Sequence, residues 1–113
     1  MSRVMPVHWL SKDARYRIID VMLSTRTTNS LAEELGVSRT TIRKYVNRET
    51  HPSDEVMARI FQICAPYEED QIIRIAVDDL IEAIRRLGES LDKSDYKKYL
   101  LKKLEEVIKE LEK

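Results

Sequence analysis

Apolar residues recur three and four positions apart along nearly the whole chain, the period of a helix that buries one face. Leu10, Ala14, Ile18, Ile19 and Met22 set the first such stripe, and Ser11 followed by Asp13 supplies a cap and a first-turn acid. A helix over 12–23 is predicted, ended by the small polar run Ser24–Ser30. The next stripe is Leu31, Ala32 and Leu35, and it stops at Gly36, the residue that most easily takes a left-handed turn. Its start stays open: Ser30 with Glu33 forms a capping box, while Thr27 or Thr28 would cap earlier. Ser38 opens a third helix that runs through Val46. Pro52-Ser53 with Asp54-Glu55 opens a fourth, whose apolar positions are Val56, Met57, Ile60, Phe61 and Cys64. Pro66 ends that helix and begins a fifth.

The pattern changes character after Pro66. Ile73, Val77, Leu80, Ile84, Leu87 and Leu91 alternate four and three apart, a heptad seam. Ile72, Ala76, Ile81 and Ala83 widen it, so this helix needs cover on two sides. Gly88-Glu89-Ser90 closes it and Asp92 is the expected cap of a sixth helix, whose seam is Leu100, Leu104, Val107 and Leu111. The expectation is an all-α chain in two parts: a compact helical domain over 1–65 and an antiparallel two-helix hairpin over 66–113. A hairpin cannot bury both seams and a second face by itself. Val77, Leu80, Ile84 and Leu87 with Leu100, Leu104, Val107 and Leu111 are therefore the expected dimerisation residues.

Composition agrees with a helical chain and adds one asymmetry. Among 113 residues there are only 2 Gly, 3 Pro and 6% aromatics, too few breakers and aromatics for a sandwich or barrel. Lys+Arg and Asp+Glu number 20 each, so the net charge is zero. Yet residues 1–64 carry three more basic than acidic side chains and residues 65–113 three fewer. Eight of the eleven arginines lie in the first part and seven of the nine lysines in the second. Arginine's planar fork matches phosphate and guanine edges, whereas Lys and Glu mostly solvate helix surfaces. Between Val37 and Arg48 stand Arg39, Arg43, Lys44 and Arg48 with no acid among them.

The segment around Gly36 explains why that cluster matters. Ala32 stands four before the glycine, Ile42 six after it and Tyr45 nine after. Two helices that cross steeply need a small side chain where their backbones approach, and the tight turn needs a positive φ. Ile42, Tyr45 and Val46 then anchor the second of the two helices, which leaves Arg39, Thr40, Arg43 and Lys44 on its outer face. These residues, with Asn47-Arg48-Glu49 and Pro52-Ser53 downstream, resemble the lambda-repressor-like (Cro/C1-type) helix-turn-helix family of transcriptional regulators over roughly 11–64. Thr28-Asn29 stand where that family usually opens its second helix with glutamine, and Thr50-His51 where it commonly has glycine or lysine.

The resemblance implies a lambda-repressor-like helix-turn-helix bundle whose third helix enters the DNA major groove. It implies base-facing roles for Ser38, Arg39, Thr40, Arg43 and Lys44, phosphate contacts at Thr28 and Asn29, and flanking contacts from Arg48 and His51. The partner implied is double-stranded DNA with a pseudo-palindromic site, bound by a homodimer acting as a repressor. Two other functions fit the same features. One is an antitoxin-like or partition-like protein whose hairpin holds a protein partner. The other is the detached DNA-recognition domain of a recombinase or transposase.

Remaining candidates point away from chemistry. No nucleophile has a base at a matching spacing, so no enzyme is expected. Two His and one Cys, widely spaced, make no zinc site, and no glycine-rich phosphate loop or other cofactor motif is present. Apolar runs are short, the first residues (Met1–Pro6) read as no signal peptide, and the single Cys fits a reducing compartment. A cytoplasmic, nucleoid-associated protein is expected. The scarcity of Asn and Gln beside Lys, Glu and Arg points to a thermophilic source. His8-Trp9 is expected to pack on the first helix, Cys64 in the core, and Tyr96 and Tyr99 in the hairpin. The acids Glu68-Glu69-Asp70 and Asp78-Asp79 read as helix-start charge and solvated surface.

Overall fold

Four hydroxyl side chains start four of the helices in the computed structural model, which describes residues 4–113. Ser11 Oγ accepts from Ala14 N (3.1 Å) and opens α1, Lys12–Leu23. Thr27 Oγ1 accepts from Ser30 N (3.0 Å) and opens α2, Thr28–Leu35, which decides between the caps left open above. Ser38 Oγ accepts from Thr41 N (3.0 Å) and opens α3, Arg39–Val46. Ser53 Oγ accepts from Val56 N (3.2 Å) and opens α4, Asp54–Ile63. Each hydroxyl satisfies an amide that the helix itself leaves unpaired. A short 3-10 turn, Val7–Trp9, precedes α1; α5 spans Pro66–Ser90 and α6 spans Ser94–Leu111. Among the described residues the architecture is all-helical. Met1–Arg3, part of the leader reading, lie outside the described residues.

The chain divides into two units, one ending at Leu80 and the other Ile81–Lys113. The dividing point thus lies within α5, later than the change of sequence character at Pro66. In the first unit, Ile18, Ile19, Met22, Leu31, Ile42, Met57, Ile60 and Ile72 are sealed from solvent in one core. Each such side chain contributes roughly 1.5–3 kcal/mol of apolar burial. Ile72 and Ala76 show that the first half of α5 closes this core. On its other side Ile73, Val77 and Leu80, with Met5, Leu10 and Phe61, line an open apolar cavity of about 210 Å³.

Polar side chains fix the elements that the core alone would leave loosely placed. Arg15 is buried and donates to the carbonyls of Leu10, Pro52 and Val7 and to Asp54. It thereby joins the segment before α1 to the start of α4. Asp79 of α5 accepts from both the amide and the hydroxyl of Ser11, at 2.9 and 2.5 Å. Glu68, fully buried, accepts from Ala65 N (2.8 Å) at the start of α5, the return half of a capping box. Glu68 and Asp79 are thus structural anchors, not the solvated acids the sequence suggested. Ser11 lies 68 residues from Asp79, and Thr25 and Arg26 lie 43 and 42 from Glu68, out of reach of any local pattern.

In the second unit the end of α5 and α6 are joined by Leu91–Lys93. A Cβ placed on Gly88 would meet Leu100 Cδ2 at 3.3 Å, so the helices approach closely there. Gly88 accordingly sits inside α5 as a contact point and does not stop the helix. The cap of α6 is Lys93, which makes no side-chain capping bond, in place of the expected Asp92. No residue of α6 is buried; Leu100 and Leu104 are half covered, while Val107 and Leu111 are exposed. Tyr96 and Tyr99 are also exposed, so they do not pack within this unit as expected.

Candidate nucleic-acid interface

The turn between α2 and α3 is set by Gly36, whose φ of 70° and ψ of 30° lie in the left-handed region. Its amide donates to Glu33 O (3.2 Å) and the next, of Val37, donates to Ala32 O (3.0 Å), which closes the end of α2. Ala32 is buried where α2 and α3 meet, as its size requires. With Ser38 capping two residues later, the crossing of the two helices leaves little slack.

Helical geometry then sorts α3 into two faces. Ile42 and Tyr45 are buried in the core. Arg39, Thr40, Arg43 and Lys44 are exposed together on the opposite arc, with Ser38 exposed at its leading end. Arg39 Nη1 donates to Asn29 Oδ1 (3.3 Å), so the exposed start of α2 lies beside the first arginine of α3. Thr28, half-buried, and Asn29, exposed, occupy the first turn of α2, where amides remain unpaired.

Val46 departs from the expectation. It is 45% exposed and does not anchor α3. The reason is arithmetic: Val46 lies seven after Arg39 and three after Arg43, so it shares their face. Asn47, exposed at the end of α3, follows Arg43 by four and belongs to the same arc. Sequence reasoning missed both, although the spacing from Arg39 and Arg43 would have found them.

Arg48 has a positive φ of 61°, outside the usual range for a side-chain-bearing residue. Its guanidinium donates to Asp20 Oδ2 (2.9 Å) and lies 4.7 Å above the Tyr16 ring, tying the end of α3 to α1. The Asp20 carboxylate raises the pKa of that guanidinium, which stays charged. His51 is exposed beyond it, with Nδ1 3.2 Å from Pro52 O. Lys44, Thr41 and His51 line a polar hollow at this end of α3.

Arg26 immediately precedes the cap of α2 and is held by two carboxylates and, through Nη2, by Ile63 O (3.3 Å). Nη1 donates to both oxygens of Glu34, at 2.6 and 2.5 Å, and Nη2 and Nε donate to Glu68 at 2.7 and 3.0 Å. Thr25 Oγ1 also donates to Glu68. The guanidinium and these hydrogen bonds outweigh the cost of burial and hold the Glu68 carboxyl down at about 2. Glu34 is lowered for the same reason, and the two acids raise Arg26. The N-terminus of α2 is thus pinned to the start of α5. Nothing in the local sequence marks this arrangement.

Residues 26–65 match the helix-turn-helix family. The matched segment, from just before α2 to just after α4, is similar to a helix-turn-helix. In it α2 and α3 are the paired helices, with α4 as the support behind them. No curated protein and no solved structure matches the chain. Among the described residues no group of His, Cys, Asp and Glu could hold a metal ion, and no helix is long and apolar enough to cross a membrane. Two smaller expectations are corrected. Trp9 is 72% exposed, its ring edge-on to that of His8 at 5.1 Å, and His8 Nδ1 lies 2.8 Å from Asp54 Oδ2. Cys64 is half-buried at the end of α4, its Sγ 3.6 Å from Phe61 O.

Proposed function

We propose that this chain is a dimeric transcriptional repressor that reads the major groove of a pseudo-palindromic site with α3 of its helix-turn-helix. The observation that carries the reading is the clean division of α3: Ile42 and Tyr45 buried, and Arg39, Thr40, Arg43 and Lys44 exposed as one basic arc. Arg39 and Arg43 serve base selection, since a guanidinium fork matches the two acceptors of guanine. Ser38, Thr40 and Lys44 complete the base-facing set. Thr28 and Asn29 offer first-turn amides to phosphate, and Arg48 and His51 flank the duplex. A two-fold dimer would present two such helices about 34 Å apart, one duplex turn. The protein then acts on chromosomal DNA in the cytoplasm, with no cofactor and no catalysis of its own.

Arg39→Ala tests the reading. A lost fork costs roughly 1–3 kcal/mol of discrimination, so the variant should lose preference at one base pair per half-site and bind random DNA almost as before. Equal losses on selected and random duplexes would defeat the assignment. The uncovered apolar residues of α6 also favour a second reading, in which that helix grips a different protein in the manner of an antitoxin. Wild-type chain that is monomeric alone at tens of micromolar would move the balance to that reading.

A further inference from the structure

The charges of α6 are segregated by sign along its length. Its first half holds Lys97, Lys98, Lys102 and Lys103 with one acid, Asp95. From Leu104 onward stand Glu105, Glu106, Glu110 and Glu112 with Lys109 and Lys113. The helix dipole acts within the terminal turns, where Asp95 and Lys109 suit it, so the segregation of the remaining charges is not explained by the helix itself. Lys98/Lys102 and Glu106/Glu110 are like charges one turn apart, and Lys102/Glu106 and Glu105/Lys109 are opposite charges at the same spacing. One ion pair relieves the pattern internally, Lys103 to Glu106 at 3.4 Å.

The same helix leaves apolar surface uncovered. Leu100 faces the close approach at Gly88, and beside it Leu101 and Ile108, seven apart, are 58% and 54% exposed. Ser94 extends that line by one more heptad step. No residue between Ile81 and Lys113 is buried.

We propose that two copies of this chain pair through antiparallel contact of their α6 helices along the Leu101/Ile108 line, each basic half lying on the partner copy's acidic half. The proposal rests on the dimer reading above and adds its orientation and its source of specificity. Lys97, Lys98, Glu105 and Glu112 flank the Leu101/Ile108 line, whereas Lys103 and Glu110 point away from it, so a parallel pair would set Lys97 and Lys98 against their own copies and Glu105 and Glu112 against theirs. An antiparallel pair turns both repulsions into attraction, opposes the two helix dipoles and covers the exposed leucine and isoleucine. The two-fold axis then crosses α6 near its midpoint, and the Ser94 positions of the two copies lie about 25 Å apart, a full helix length.

Full-length chain with Cys64→Ser provides the test. Under oxidation, Ser94→Cys alone should give little cross-linked dimer, whereas Ser94→Cys mixed with Glu112→Cys should cross-link readily. Efficient self-cross-linking of Ser94→Cys would mean a parallel pair and overturn the proposal. In a second experiment the four lysines Lys97, Lys98, Lys102 and Lys103 are changed to Glu in one chain. The four glutamates Glu105, Glu106, Glu110 and Glu112 are changed to Lys in another. Each variant alone should dimerise at least about tenfold more weakly by sedimentation, and an equimolar mixture should recover the dimer. Either variant pairing as well as wild type, or a mixture that stays monomeric, would overturn the charge argument. Wild-type chain that is monomeric at tens of micromolar would remove both the proposal and the dimer reading, while half-site DNA binding would be judged separately.

Discussion

Glu68→Gln isolates the charge that holds α2 to α5. The substitution keeps the size and one acceptor oxygen, which can still accept from Ala65 N; the other oxygen becomes an NH2 that can only donate, to Thr25 Oγ1, and Arg26 loses one of its two carboxylates. Holding a fully buried carboxyl at about 2, against 4.5 for an ordinary glutamate, corresponds to about 3 kcal/mol of preference for the charged form. Glu34 remains on Arg26 and absorbs part of the loss, so the variant should be about 2 kcal/mol less stable at neutral pH. The sign with pH follows from a lowered folded-state value. The stabilisation is complete above 4.5, where even the unfolded chain is ionised, and fades as pH falls toward about 2. Urea unfolding of wild type and variant, followed by circular dichroism at several pH values, reads both effects. The gap between the two proteins should be widest near neutrality and close as the acid limit is approached. A gap below about 0.5 kcal/mol at neutral pH, or one that persists unchanged into acid, would refute the reasoning.

Three further outcomes follow from the geometry. Specific binding should fall about a thousandfold between 50 and 200 mM salt if a dimer neutralises about six phosphates, and a flat response would mean the arginine face is not the binding face. Arg48→Ala should weaken selected and random duplexes by the same factor with a nearly unchanged melting temperature, because its pair with Asp20 is exposed on both sides. A selective loss would place Arg48 among the base readers instead. Asp79→Ala removes both acceptors of Ser11 and should cost about 1 kcal/mol of stability in denaturant unfolding, the usual scale of a lost helix cap. An unchanged midpoint would show that Asp79 adds nothing to the hold of Glu68, Ile72 and Ala76 on α5.

Local chemistry was the legible part of this fold. Ser11, Ser38 and Ser53 act as caps and Gly36 as the left-handed stop because each effect spans only a few residues. The basic arc of α3 was legible for the same reason, since period and capping fix which positions point away from Ile42. Val46 was misread because an apolar residue next to a buried tyrosine suggests core, although its angle on the helix places it with Arg39. Glu68 and Asp79 were illegible in principle. An acid near a helix start has a sufficient local explanation, and only the folded chain brings Arg26 and Ser11 against them. The chain likewise hides the role of Gly88, whose lack of a side chain matters only because Leu100 arrives beside it.

The Arg26 clamp bears on where this DNA reader can be cut from its chain. The recognisable family segment begins at Arg26 itself and ends at residue 65, three positions before the glutamate that neutralises it. A graft made along those borders would carry the arginine and leave one of its two acids behind, together with Ile72 and the whole of α1. The transplanted piece would keep every residue of the basic arc and lose the struts that aim it. For anyone moving this helix-turn-helix into another protein, the portable piece is the stretch from the turn at Val7 through Leu80, not the stretch that the family pattern outlines.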